Sequence, residues 1–204
     1  MQPSPYRYFV LNKPYNMVSQ FVSVEDVRLL GDVAFDFPDG THAIGRLDSL
    51  SEGLLLLSTN KKVTSLLFQG AAPHPRTYLV RVVNVMTHDT VQQLRDGVTI
   101  RVRGKGDHKT LPCEVHLLDA PPGVLPYQLE QNPYIPHSWL QITLYEGKFH
   151  QIRNMMSAVG HPCRRLIRIS IEDIVLGDLA PGCVRELEEE EFFRLLKIDH
   201  PTCS

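Results

Sequence analysis

The chain has 204 residues, 43% of them hydrophobic and 22% charged, with a formal net charge of −2. That length and apolar content suffice for one core domain or two tightly fused halves, and they exclude disorder as the default reading. No basic start and apolar run mark an export signal, and the longest apolar run, Leu54-Leu55-Leu56-Leu57, falls far short of the roughly 20 residues that span a bilayer, so a soluble, cytoplasmic protein is expected.

Residues 8–11 form a short aromatic and β-branched run stopped by Asn12-Lys13-Pro14, which predicts a central strand entering a turn. Residues 23–36 predict a helix, with Ser23 as cap ahead of Val24, Val27, Leu29 and Leu30. Pro38-Asp39-Gly40 makes a turn. Residues 45–53 are polar and bounded by glycines, and the four leucines that follow at once predict a loop feeding a buried strand. A short helix over 61–70 and an alternating strand over 76–83 come next, then a helix over 87–97 with Thr87 or Asp89 as cap and Gly97 as its end.

Strands over 98–102 and 113–118 flank a loop of glycine and lysine, and the five prolines between 121 and 136 predict an irregular excursion. A strand over 138–145 ends at Glu146-Gly147. A helix over 150–159, with Ile152, Met155, Met156 and Val159 on one face, closes at Gly160 and Pro162. A strand over 166–171 and a helix over 188–196 complete the chain. Strands interrupted by a few helices without βαβ alternation indicate an α+β fold.

Cys113, Cys163, Cys183 and Cys203 lie far apart with no Cys-x-x-Cys pair, which favours reduced thiols over a zinc module or a disulfide scaffold. His150 and His161 have no third ligand at a recognisable spacing, so no metal is expected. A negative net charge is unusual for a nucleic-acid partner. Its distribution is uneven, however: residues 148–168 hold five basic side chains (Lys148, Arg153, Arg164, Arg165, Arg168) and no acid, while five glutamates fall between 186 and 191. The first stretch can present a cationic face, and the second reads as a solvated helix face.

Gly45-Arg46-Leu47-Asp48 sets a base and an acid two residues apart on a small-residue loop beside a very apolar strand. A carboxylate at the edge of a dry core is a catalytic candidate, although a structural turn closed by an Arg–Asp ion pair has the same pattern. Downstream, Glu146-Gly147-Lys148-Phe149-His150-Gln151-Ile152-Arg153 puts a turn before a helix whose first residues could meet phosphate or a carboxylate.

Taken together, residues 45–57 resemble the signature around the catalytic aspartate of the RsuA and RluB/E/F branch of the pseudouridine synthases. Asn12-Lys13-Pro14 resembles that family's opening motif, Arg76-Thr77-Tyr78-Leu79-Val80 its tyrosine strand, and residues 148–155 its basic motif. Val159-Gly160-His161-Pro162 and Leu166-Ile167-Arg168 follow in the family's order. Ser138-Trp139-Leu140, leading into residues 142–147, is similar to members that act on the large ribosomal subunit. Two departures stand out: Asn154 replaces a usual second arginine, and residues 169–172 replace an ending with glycine after the isoleucine.

The resemblance implies a single catalytic domain over residues 1–204 without an N-terminal S4 RNA-binding domain. Its implied fold is a mixed, mainly antiparallel sheet with a central RNA-binding cleft. It also implies isomerisation of a specific uridine in RNA, foremost 23S rRNA, by a monomer that needs no cofactor. Asp48 is then the nucleophile, attacking C1′ of the ribose or C6 of the base. Tyr78 packs on the target base near the C5 proton, and Arg153 pairs with Asp48. Arg46 fills the space left by the flipped base or meets a phosphate, and Lys148, His150, Gln151 and Arg168 contact RNA. Three other readings remain: a hydrolase pairing Asp48 with Glu52 or Glu146, a ribosome-associated binding protein without catalysis, and the same chemistry on 16S rRNA or tRNA.

Overall fold

The computed structural model describes residues 5–68, 73–104, 106–119 and 135–199. In chain order the elements are β1 (Tyr8–Lys13), a 3-10 turn (Leu30–Asp32), β2 (His42–Ile44), β3 (Glu52–Ser58), α1 (Lys62–Phe68), β4 (Arg76–Val83), α2 (His88–Arg95), β5 (Thr99–Val102) and β6 (Gly106–Lys109). They continue with β7 (Glu114–Leu118), β8 (His137–Leu144), α3 (Gln151–Ala158), β9 (Cys163–Ile171), β10 (Ile174–Val175), β11 (Val184–Leu187) and α4 (Glu189–Leu196). The architecture is α+β and mainly antiparallel, as the pattern of elements predicts. The chain divides into two compact units, Met1–His74 with Arg168–Ser204, and Pro75–Ile167. The boundary falls inside β9.

In the first unit, β1 lies between β11 and β3, which makes it a central strand. All six residues of β1 and all seven of β3 are buried. Their run of leucines and aromatics therefore reads as continuous rather than alternating, the mark of a strand covered on both faces. β2 pairs with the far end of β3, with Ile44 opposite Leu56. Tyr8 stacks against Phe192 of α4 at 4.5 Å, and Phe9 meets Phe35 and Phe37 edge-on. Glu172, between β9 and β10, sits at φ +49, where glycine would be unstrained. Its carboxylate is held there by His74 Nδ1 at 2.9 Å and Lys197 Nζ at 3.2 Å.

In the second unit, β4 pairs with β8 and β8 with β7, and β5 and β6 form a separate hairpin. α2 and α3 contribute Val91, Leu94, Ile152, Met155 and Met156 to a core with Val80, Val82, Leu140 and Ile142. Thr87 caps α2 by accepting the N–H of Thr90 at 3.2 Å. The irregular excursion over 121–136 lies almost wholly outside the described residues.

Residues 23–36 are not a helix. Val22 and Val24 stand in solvent, and only the 3-10 turn at Leu30–Asp32 is helical. The segment doubles back instead: Val18 N donates to Arg28 O at 3.0 Å and Leu30 N to Gln20 O at 2.9 Å. Ser23, read as a helix cap, accepts the N–H of Glu25 two residues on, which closes a local turn. The Gly and Lys stretch after 102 contains strand β6 rather than only loop. Glu186, placed by its neighbours on a helix face, lies on β11 and forms a two-bonded pair with Arg7 at 2.6 and 2.7 Å.

Two substitutions test the assignment of the 21–29 segment against that of β3. Val24→Asp should leave unfolding free energy within about 0.5 kcal/mol of the starting protein. Leu55→Ala, in a strand buried at every position, should cost about 2–5 kcal/mol in denaturant unfolding.

Candidate active site

Asp48 sits at the turn between β2 and β3, in the first unit. Asp48 is half-exposed, and backbone and side-chain hydrogen bonds hold its neighbours in the turn. The Asp48 carbonyl accepts the N–H of Ser51 at 3.0 Å. Buried Ser19 clamps Leu47 twice: its hydroxyl donates to Leu47 O at 2.8 Å and accepts from Leu47 N at 3.0 Å. Ser49 O accepts from Met17 N at 3.3 Å and from the Lys13 ammonium at 3.3 Å. Gly45, at φ +74, admits the ring of Phe68, which would lie 2.9 Å from a Cβ at that position. Arg46 projects into solvent beside the turn, where a phosphate or a displaced base could reach it.

Lys13 is the site residue that sequence reasoning leaves out. A lysine before proline reads as a solvated turn, yet its register opposite Gly53 buries it completely at the foot of the Asp48 loop. Its ammonium donates to Pro14 O at 2.9 Å and Met17 O at 2.7 Å as well as to Ser49 O. Burial pushes its pKa down to about 8, the carboxylates of Glu52 and Asp48 pull it back up, and Arg168 and Arg28 push it further down.

The second unit holds Tyr78 and the basic motif. Tyr78 is half-buried on β4 and packs against that unit's core. Glu146, one turn before α3, gathers four donors. Leu111 N and Gln151 Nε2 donate to one carboxylate oxygen at 2.9 and 3.0 Å, and His108 and Lys148 approach the other at 3.1 and 3.6 Å. Burial alone would raise the Glu146 pKa; the Leu111 N–H and His108 outweigh it and hold the carboxyl below its ordinary range. Arg153 is half-buried on α3 and approaches Cys163 Sγ at 3.9 Å. Burial drives that thiol up to about 11, so it stays neutral and donates to Arg165 O at 3.4 Å. Arg81 lies close enough to Arg164 and Arg165 for the three charges to repel, a cationic group that the 148–168 stretch alone does not include.

Two of the residues expected to contact RNA are buried. Gln151 is buried, and both ends of its amide are occupied, by Lys148 N at 2.9 Å and by Glu146. Arg168 is buried too, and its Nε donates to Leu54 O at 2.7 Å. Lys148 is exposed and His150 half-exposed, as contact with a large substrate requires.

Residues 7–158 match the family described as RNA pseudouridylate synthase. The chain belongs to this family. It is 36% identical over 188 residues to ribosomal large subunit pseudouridine synthase E of Vibrio parahaemolyticus, covering 89% of this chain and 74% of that protein. To the synthase E of Xanthomonas axonopodis pv. citri it is 37% identical over 176 residues, covering 84% and 89%. A crystal structure of a pseudouridylate synthase superposes with a TM-score of 0.75 at 26% identity, over 96% of this chain and 76% of that one. The protein is thus an RNA pseudouridine synthase, which isomerises uridine in RNA. The hydrolase reading loses its support from Glu146, because a general acid needs a raised pKa and this carboxyl is held ionised.

The buried ammonium of Lys13 sets a pH signature. In the unfolded chain a lysine titrates near ~10.4, against about 8 in the folded protein. Between these values the unfolded state binds a proton that the folded state has released, so this group's contribution to stability rises with pH. The Tm advantage of the starting protein over Lys13→Met should therefore widen from about pH 8 to about pH 10. A constant difference across that window would show that Lys13 titrates as a solvated amine.

Proposed function

We propose that this synthase isomerises one uridine of 23S rRNA in the cytoplasm, with Asp48 as its nucleophile. The observation that carries the assignment is the Asp48 turn itself, whose backbone is clamped at residues 47, 48 and 49 while Asp48 stays half-exposed. A nucleophile held this way meets its target without first being ordered. The two relatives named for the large ribosomal subunit support the choice of RNA.

The reaction breaks the N1–C1′ bond and forms a C5–C1′ bond; C5 loses a proton and N1 gains one. Electrons and atoms balance within the nucleotide, so no redox partner enters. The target uridine must first leave its stack, at a cost of a few kcal/mol. Asp48 forms the covalent bond to the nucleotide that lets the base detach and turn. Family resemblance supports Tyr78 as the group beside the C5 proton, where a phenol can serve as acid or base, and Arg153 as support for the ionised aspartate. Arg46, Lys148 and His150 are assigned to the RNA itself.

Asp48→Asn preserves the shape of the turn and removes the nucleophile. It should lower turnover of a 23S rRNA transcript by at least about a thousandfold, with RNA affinity within about twofold of the starting protein. Pseudouridine mapping in cells lacking the gene, rescued by either form, identifies the target. One 23S uridine restored only by the aspartate form is the expected result. Loss of a 16S rRNA or tRNA pseudouridine instead would overturn the target and leave the chemistry standing.

A further inference from the structure

Phe149 is 53% exposed on the loop between β8 and α3. Its ring lies on that of His150, with centroids 3.8 Å apart and planes inclined by 18°. Exposure alone is ordinary for a single apolar side chain. The support beneath this one is not.

Every backbone carbonyl from 148 to 150 is engaged. Gln151 N donates to Lys148 O at 3.1 Å, Asn154 Nδ2 to Phe149 O at 3.2 Å, and Asn154 N to His150 O at 2.9 Å. Lys148 N donates in turn to the buried Gln151 amide, which is itself held by Glu146. His150 is fixed at φ +52, a left-handed conformation that a non-glycine residue holds only when its surroundings impose it. A loop pinned at this many points presents its ring in one orientation. Lys148 is adjacent in the chain, and Arg101 and Arg103 are exposed on the β5–β6 hairpin, whose Arg101 carbonyl Asn154 also reaches at 3.5 Å.

We propose that Phe149, backed by His150, is a stacking platform for an unpaired nucleobase of the RNA substrate, with Lys148, Arg101 and Arg103 drawing in the flanking phosphates. A rigid aromatic face among cations is the combination that binds single-stranded RNA with little sequence demand. The platform makes Phe149 a binding determinant for RNA beside the target uridine, and it takes no part in the bond-making steps. The proposal rests on RNA being the substrate and is independent of which RNA that is.

The test uses the full chain and a short unpaired oligouridylate carrying one 2-aminopurine, whose fluorescence falls when the base stacks. Phe149→Ala and Phe149→Leu should weaken binding and remove most of the quenching, while Phe149→Tyr and Phe149→Trp retain both. A loss of about tenfold in affinity corresponds to ~1.4 kcal/mol, within the range of one base–aromatic stack. On a 23S rRNA transcript the same loss should appear in KM, with kcat within about twofold. Full affinity in Phe149→Ala overturns the platform, and so does full affinity in Phe149→Leu, which keeps the apolar volume without a π face. If the starting protein fails to modify the 23S transcript, the target assignment fails while the oligonucleotide arm still decides the platform.

Discussion

Lys13 closes a strand buried along its whole length, and its ammonium reaches the carbonyl oxygens of Pro14, Met17 and Ser49. A cation taken out of water is tolerated only where oxygens replace its hydration, so these three carbonyls cannot drift without stranding the charge. Two come from the turn after β1 and the third from the residue next to Asp48. The geometry of the Asp48 turn is thereby tied to the pairing of β1 with β3, which the burial of four consecutive leucines maintains. Hydrophobic burial sets the strands, and one buried charge transmits their register to the Asp48 loop.

The second unit uses the opposite charge for the same purpose. Glu146 is a nearly buried carboxylate that collects donors from the segment after β6, from β6 itself and from the first turn of α3. Losing one donor leaves part of a charge uncompensated, so the hairpin and the basic loop hold each other in place. Lys148 and His150 then lie, exposed and half-exposed, on a loop held by the Gln151 and Asn154 amides. In each unit a buried charge, Lys13 in the first and Glu146 in the second, gathers partners from segments far apart in the chain.

The sequence makes much of this arrangement legible where a local signal agrees with tertiary burial. β4 spans the residues that alternation predicts, and α2 is capped by Thr87, one of the two caps that its pattern offers. The Asp48 loop stands out because glycines bound it and leucines follow. The failures also have physical causes. Val24, Val27 and Leu30 fall at helical spacing, but two of them never enter a core, and a hairpin-like backbone pairing outcompetes the helix. β6 and β11 are short and carry charged side chains, so they lack the apolar alternation that marks a strand. Lys13, Gln151 and Arg168 share a deeper difficulty. Their side chains look like ligands for solvent or phosphate until the partners that consume them are known, and those partners lie between 1 and 114 residues away in the chain.

Asn154 shows how a departure from the family pattern changes the physics of a surface. An arginine at that position would add a positive charge beside the basic loop. The asparagine adds none, and its amide ties Phe149 O and Arg101 O to the first turn of α3. A charge that would attract any phosphate is exchanged for rigidity in the loop that displays an aromatic ring. Attraction by charge is long-ranged, screened by salt and indifferent to base pairing, whereas stacking on a fixed ring requires an unpaired base within contact distance. The exchange moves discrimination from how much charge the RNA carries to which of its bases are free. A protein with a net charge of −2 has need of such a device. With little global attraction for nucleic acid, it must recognise its substrate through a few fixed contacts, each stiff enough to reject RNA that cannot reach them.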